Sequence, residues 1–437
     1  MPATPPQVRT EQGTVEGLRV NGIHEFLGIP YAEPPVGNLR WRPPVAAKAW
    51  EGVRRATKFG QACAQVTTLG PFAGPANNNE DCLTLNVFTP EIGASSKLPV
   101  LVWIHGGGNM DGSSSGYDAT RLAAAGKIVV VSINYRLGLL GWLANPALDA
   151  EAHPFANYGL LDQQLALKWV KGNIAAFGGD PGNVTLGGQS AGSIDTEANV
   201  ASALATGLFQ RAIFESVVLD GIPLQAAEKT GSDFAAAAGC GKGATPEVAA
   251  CLRRLPVERI MRLAGTESTQ GPYISILIAD GQIVPASGLF AAFKNGAFTH
   301  MPIMSGTVHD EVNFIAAIAE YFSGPPRHAI TAEQFQNFVT SGYPSEKALW
   351  HGGPGGIVHH LNTQQQRLSD ALVKAWTNFA RSGDPNGPGA PKWPVFRPTA
   401  TTPGLYLSET LPVSETLMDQ QFATDHKCGM WTKLATQ

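Results

Sequence analysis

Thr185-Leu186-Gly187-Gly188-Gln189-Ser190-Ala191-Gly192 decides how this chain is read. It holds Gly188-x-Ser190-x-Gly192. Residues 183–186 before it are patterned as a short strand, and the Ala-rich residues 193–204 after it can form a helix. Strand, tight turn and helix make the setting in which a serine hydroxyl stands proud of a sheet. The glycines allow the sharp turn because they bring no Cβ into it. The turn also puts the N–H of Ala191 at a helix N-terminus, where it can stabilise negative charge. In a chain with 49 glycines the motif alone could be a chance match. Its flanks, and a second motif, favour a chemical role.

The second motif is His105-Gly106-Gly107-Gly108, directly after the apolar strand Pro99-Val100-Leu101-Val102-Trp103-Ile104. A glycine-rich loop after a strand can bring bare N–H groups close to a substrate oxygen, as in the oxyanion loop of esterases and lipases. A phosphate cradle is the competing reading, but no GK[ST] or G-x-G-x-x-G follows. The two motifs, each behind its own strand and in this order, point to acyl hydrolysis. On such a fold the triad order is Ser, then an acid, then His. Asp310 and Glu311, after the strand at 302–306, are the candidate acids, and a solvated acidic turn is the competing reading. His328, His351, His359, His360 and His426 are the candidate bases, and spacing does not choose among them.

At 437 residues the chain suits one large α/β domain or two smaller ones. Dense apolar strands at 99–104 and 128–134 look covered on both faces. A meander at 8–29 precedes them, and a strand at 82–89. Helices are expected at 118–126, 160–177, 226–238, 245–263 and 368–381, with a further strand at 211–218 and a loop-rich tail. Strands alternating with helices predict a largely parallel sheet in one domain. The net charge of −4, with no basic run, points away from nucleic acid and anionic membranes. No apolar run is long enough to span a bilayer. Residues 1–10 are Pro-rich and polar, so either the protein is cytoplasmic or the sequence starts after a removed signal. Cys63 and Cys82 are 19 apart, Cys240 and Cys251 are 11 apart, and Cys428 is left over. That spacing suits two disulfides in an oxidising compartment and five buried thiols equally well. The absence of C-x-x-C argues against a zinc site.

Further stretches resemble the type-B carboxylesterases, the family of bacterial para-nitrobenzyl esterases and cholinesterases. They are residues 26–37 (FLGIPYAEPPVG), 80–86 (EDCLTLN), 134–138 (NYRLG), 157–163 (NYGLLDQ) and 177–181 (FGGDP). The resemblance covers most of the chain. It implies an α/β-hydrolase fold, a mixed, mostly parallel sheet sandwiched by helices, as a single domain over 1–437 with residues 226–298 as part of a cap. It implies Ser190 as nucleophile, Gly107, Gly108 and Ala191 as oxyanion donors, and Glu311 rather than Asp310 as the triad acid. It also implies disulfides Cys63–Cys82 and Cys240–Cys251, and structural ion pairs Arg40–Glu80 and Arg136–Asp162. The expected substrate is a small-molecule carboxylic ester. No metal or organic cofactor is implied, and the disulfides suggest a secreted or periplasmic protein. Acyl and alcohol specificity and the oligomeric state are not readable.

Two departures stand out. Val312 follows Glu311 where the family usually has Gly. Only 56 residues separate Glu311 from Leu368, and the family's base-bearing loop is expected in or before residues 334–348, which hold no histidine. A segment near 343–349 therefore reads as deleted. Either a nearby histidine substitutes, His351 first and then His359 or His360, or the chain is a catalytically impaired or purely binding relative. A lactonase or amidase using the same site is a further reading.

Overall fold

The computed structural model describes residues 4–66, 74–216, 220–266, 269–270, 277–307, 363–387, 390, 393, 405–408 and 415–418. Eight strands form the main sheet: β1 (Leu18–Val20), β2 (Ile23–Pro30), β3 (Thr84–Thr89), β4 (Leu98–Ile104), β5 (Val129–Ile133), β6 (Gly179–Gln189), β7 (Arg211–Glu215) and β8 (Ile303–Gly306). Their order in space is β8-β7-β6-β4-β5-β3-β2-β1. β5, β4, β6, β7 and β8 run parallel, while β3, β2 and β1 continue the sheet antiparallel. The apolar runs explain the centre. Every residue of β5 is buried, as is all of β4 after Leu98, because helices must cover both faces of a parallel sheet.

Those helices are α1 (Thr120–Gly126), α2 (Tyr158–Asn173) and α3 (Ala191–Ala201), each in a connection between sheet strands. α1 ends on Lys127 at φ 48°, so the left-handed residue is the lysine and not the glycine before it. α2 carries the apolar face expected of it, with Leu161 and Trp169 buried, and Ile174 is buried in the 3-10 turn, Ile174–Phe177, that follows it. Residues 179–182, a Gly-Asp-Pro-Gly stretch ahead of the strand expected at 183–186, open β6. Gly179 pairs with Leu98, and pairing with β4 resumes at Val184 after a bulge.

Beyond β7 come α4 (Leu224–Ala237), α5 (Pro246–Arg253), α6 (Val257–Ala264) and α7 (Leu289–Lys294). The helical stretch expected over 245–263 is two helices. Pro256 divides them, since it offers no N–H and disfavours helix at the residue before it. Cys240–Cys251 joins the end of α4 to α5 with a Cα–Cα distance of 5.5 Å. Cys63–Cys82 closes the other expected loop at 4.9 Å. Both expected ion pairs form. Arg40 Nε donates to Glu80 at 2.7 Å, and its Nη1 also donates to the carbonyls of Arg253 and Leu255 at 3.1 and 2.6 Å. Arg253 returns a bond to the Arg40 carbonyl and forks onto Glu151. Arg136 holds Asp162 through Nε at 2.8 Å and Nη2 at 2.6 Å.

The chain divides into two compact units after Gly306. In the second, α8 (Thr363–Ser382) starts five residues before the expected Leu368. Gln364 to Gln366 are good helix formers but show no apolar period, so the pattern alone starts too late. The tail, expected to be loop-rich, contains an antiparallel pair, Leu405–Ser408 with Glu415–Met418. No described helix is long and apolar enough to cross a membrane.

Candidate active site

Ser190 sits where β6 turns into α3, at φ 56° and ψ −125°. A non-glycine residue pays about 1–3 kcal/mol to be held in such a region, and the neighbours show what holds it. A Cβ on Gly188 would lie 2.3 Å from the Gly192 carbonyl oxygen. One on Gly192 would lie 2.2 Å from the Ile104 carbonyl oxygen. The turn therefore closes only because both positions are glycine. The Ser190 N–H donates to the Glu215 carbonyl on β7 at 2.9 Å. The hydroxyl makes no capping bond to the helix it opens, although serine is a favoured N-cap.

The glycine loop after β4 runs directly beside this turn. A Cβ on Gly106 would lie 2.7 Å from the Gln189 carbonyl oxygen and 3.2 Å from Ser190 Cβ. Gly107 and Gly108 have φ of 116° and 62°, which side-chain-bearing residues rarely adopt, and a Cβ on Gly107 would collide with the Asp111 carbonyl at 1.9 Å. Among the described residues no hydrogen bond engages the N–H of Gly107 or Gly108. Ala191 is the first residue of α3, so its N–H has no acceptor one turn back. The structure thus brings together Ser190, the glycine loop and Ala191. Glu311, His351, His359, His360, His328 and His426 lie outside the described residues, as do the 343–349 segment and Cys428.

His105, which opens the glycine loop, is only 1% exposed. Its Nδ1 lies 2.8 Å from the Gly106 carbonyl and its ring stacks on Tyr135 at 4.4 Å. Burial pulls its pKa down to about 4, so it is a neutral packing group near pH 7.

Three residues near this site escaped the sequence reading. Asp195, on α3, is fully buried and accepts from Asn109 and Gln163. Asn109 ends the glycine loop in the left-handed region at φ 57°. Glu215 ends β7, and its Oε1 is buried with no hydrogen-bond partner among the described residues. The only sequence signals were a lone acid closing an apolar strand and an Asn directly after three glycines.

Desolvation raises the Glu215 carboxyl from 4.5 to about 8. Between those values the folded chain keeps a proton that the unfolded chain has released. Folding stability therefore falls as pH rises from 4.5 towards 8. Asp149 and Asp195, raised by burial to about 8 and about 7, act in the same direction. Glu215→Gln should flatten the fall of Tm across that window and stabilise the protein most at its alkaline end. An unchanged slope would show that Glu215 does not titrate there.

A sheet with this strand order, carrying a strained serine turn beside a glycine loop, is the framework of a serine hydrolase. The sequence profile of the carboxylesterase family matches residues 4–340 and 345–431. The chain belongs to that family and is a carboxylic ester hydrolase. It is 39% identical to the para-nitrobenzyl esterase of Bacillus subtilis (strain 168), covering 89% of this chain and 92% of that one. It is 31% identical to the medium-chain fatty acyl-CoA hydrolase precursor of Anas platyrhynchos, over 90% of this chain and 87% of the relative. Among solved structures, a thermophilic para-nitrobenzyl esterase superposes with a TM-score of 0.79 at 29% identity, covering 97% of this chain and all of that one. A carboxylesterase of Geobacillus stearothermophilus gives 0.76 at 27% identity, over 96% and 99%.

Proposed function

We propose that Ser190 is the nucleophile of ester hydrolysis, with the N–H groups of Gly107, Gly108 and Ala191 as oxyanion donors, Glu311 as the orienting acid and His351 as the base. The observation that carries this is the strained Ser190 turn with the glycine loop against it, Gly106 being within a methyl group's reach of Ser190 Cβ. Ser190 Oγ attacks the ester carbonyl while His351 takes its proton. The oxyanion accepts from the three N–H groups, each worth about 10²–10³ in rate. Collapse expels the alcohol, which leaves with the proton from the imidazolium. Water then adds to the acyl-enzyme by the same proton path and releases the acid. Residues 1–437 are read as one hydrolase domain with 226–298 contributing its cap. The two disulfides favour a secreted or periplasmic setting. Para-nitrobenzyl esters and medium-chain acyl thioesters, named for relatives, are suitable first substrates.

A second reading has its own support. The family match breaks at 341–344, beside the segment read as deleted. The alignment with the Bacillus subtilis esterase spans 456 positions but only 89% of this 437-residue chain, so dozens of the relative's residues have no counterpart here. A chain that has lost its base-bearing loop would keep the scaffold and lose most turnover.

Labelling with a fluorophosphonate, read by intact mass, separates the two, because it needs an activated serine. Wild-type protein should label, and His351→Ala should not. Loss of labelling in His359→Ala or His360→Ala instead would move the base to that residue. A folded wild-type chain that takes no label would establish the impaired reading.

A further inference from the structure

We propose that Asp195 is a positioning residue for the oxyanion loop: through Asn109 it ties the Gly106–Gly108 backbone to the helix that carries the nucleophile. The proposal rests on the oxyanion role given to Gly107 and Gly108 above. Asp195 lies on α3, five residues after Ser190, and its side chain is fully buried. Its Oδ1 accepts from Asn109 Nδ2 at 3.0 Å and its Oδ2 from Gln163 Nε2 of α2 at 2.6 Å. Asn199, one turn further along α3, donates to both Gln163 Oε1 and the Asp195 carbonyl at 2.9 Å. The carboxylate is therefore fixed on both oxygens by amide donors, and it has a single orientation to offer the loop.

Asn109 is the matching half. At φ 57° it is in the conformation that Asn tolerates better than other side-chain-bearing residues. Its carbonyl accepts from the Gly138 N–H at 2.7 Å. Tyr135 donates to the His105 carbonyl at 2.6 Å and stacks on the His105 ring, fixing the other end of the loop. The glycines between have no side chains with which to hold themselves. Their carbonyls are held in part locally, Gly107 accepting from the N–H groups of Met110 and Asp111 at 3.0 and 3.1 Å, and the two ends of the loop are set by what grips His105 and Asn109. Asp195 grips Asn109 from the same rigid helix on which Ser190 and Ala191 begin, so nucleophile and loop keep one spacing. A loop freed at that end would spread its N–H groups over several positions, and misplaced groups are costly in a transition state.

The test uses Asp195→Asn, Asn109→Asp and the two together in the full chain. Asp195→Asn faces two donors with one acceptor and breaks one of the two bonds. Asn109→Asp sets two carboxylates against each other. The double variant restores the pair with its polarity reversed: the amide at 195 donates to the carboxylate at 109, and its oxygen still accepts from Gln163. Amide hydrogen exchange over residues 105–112 should speed up about tenfold or more in each single variant, with β4 and β5 unchanged. Turnover of an ester should fall by roughly 10- to 100-fold in kcat, with KM within about threefold, less than the loss of a whole donor. The double variant should recover both measures to within about threefold. Should Asp195→Asn fail to fold, Asn109→Gly removes the tie from the loop side and keeps the left-handed backbone. Unchanged exchange at 105–112 would overturn the anchoring. Faster exchange with unchanged kcat would overturn the oxyanion assignment and the proposal with it. If wild-type protein has no turnover, that failure belongs to the acyl-enzyme reading, and exchange alone decides the anchoring.

Discussion

Ser190→Ala is expected to abolish ester turnover, by about 10⁴-fold or more, and to remove fluorophosphonate labelling altogether. The size follows from the unit character of a nucleophile and its base: without the oxygen, what remains is binding and the oxyanion donors. The fold should be indifferent to the change, because the hydroxyl makes no capping bond to α3. Tm and circular dichroism of the variant therefore serve as controls. Turnover that survives in a folded Ser190→Ala protein would place the chemistry on another residue. The turn itself is less forgiving. Neither glycine beside the serine can take a methyl group without meeting a backbone carbonyl at 2.3 Å or less.

Asp162→Ala should produce the largest loss of stability, roughly 3–5 kcal/mol. Arg136 and Asp162 are both buried, with side-chain exposures of 3% and 0%. Asp162 accepts from the Arg136 backbone N–H at 3.0 Å as well as from the guanidinium, which also lies over the Tyr158 ring at 5.4 Å. Removing the carboxylate leaves a cation in the interior with no counter-charge, and the cost is that orphaned charge more than the bond itself. A fall in Tm on the order of 10 °C is expected. The double change Arg136→Met with Asp162→Leu should recover most of it, since neither charge is then buried. If Asp162→Ala unfolds at the wild-type temperature, the pair contributes nothing and the account of it is wrong. The pair joins the segment after β5 to α2, so the loss should appear in unfolding before it appears in ester specificity.

Much of the architecture was legible because it is written locally. Dense apolar runs mark β4 and β5, and the glycine spacing around Ser190 marks the turn. The sequence stretches that resemble carboxylesterases lead to the same fold that the family match establishes. The misreadings were also local. Pro256 split one expected helix, α8 began where no apolar period announced it, and β6 began inside a stretch of Gly, Asp and Pro. In that last case pairing with Leu98 outweighed the poor strand propensity of the residues.

By itself the sequence determined the order of the strands along the chain, the turn at Ser190, the glycine loop and the ester-hydrolase class, while the cysteine spacing left the two disulfides open until the resemblance implied them. Each of these depends on residues close together in sequence, or on motifs whose spacing is their meaning. Only the tertiary structure decided that Asp195 meets Asn109 across 86 residues, that His105 is buried and neutral, and that Glu215 ends its strand with a buried oxygen that has no partner among the described residues. Those facts depend on which side chains are desolvated together. Desolvation is a property of the packed interior, and no stretch of sequence carries it alone.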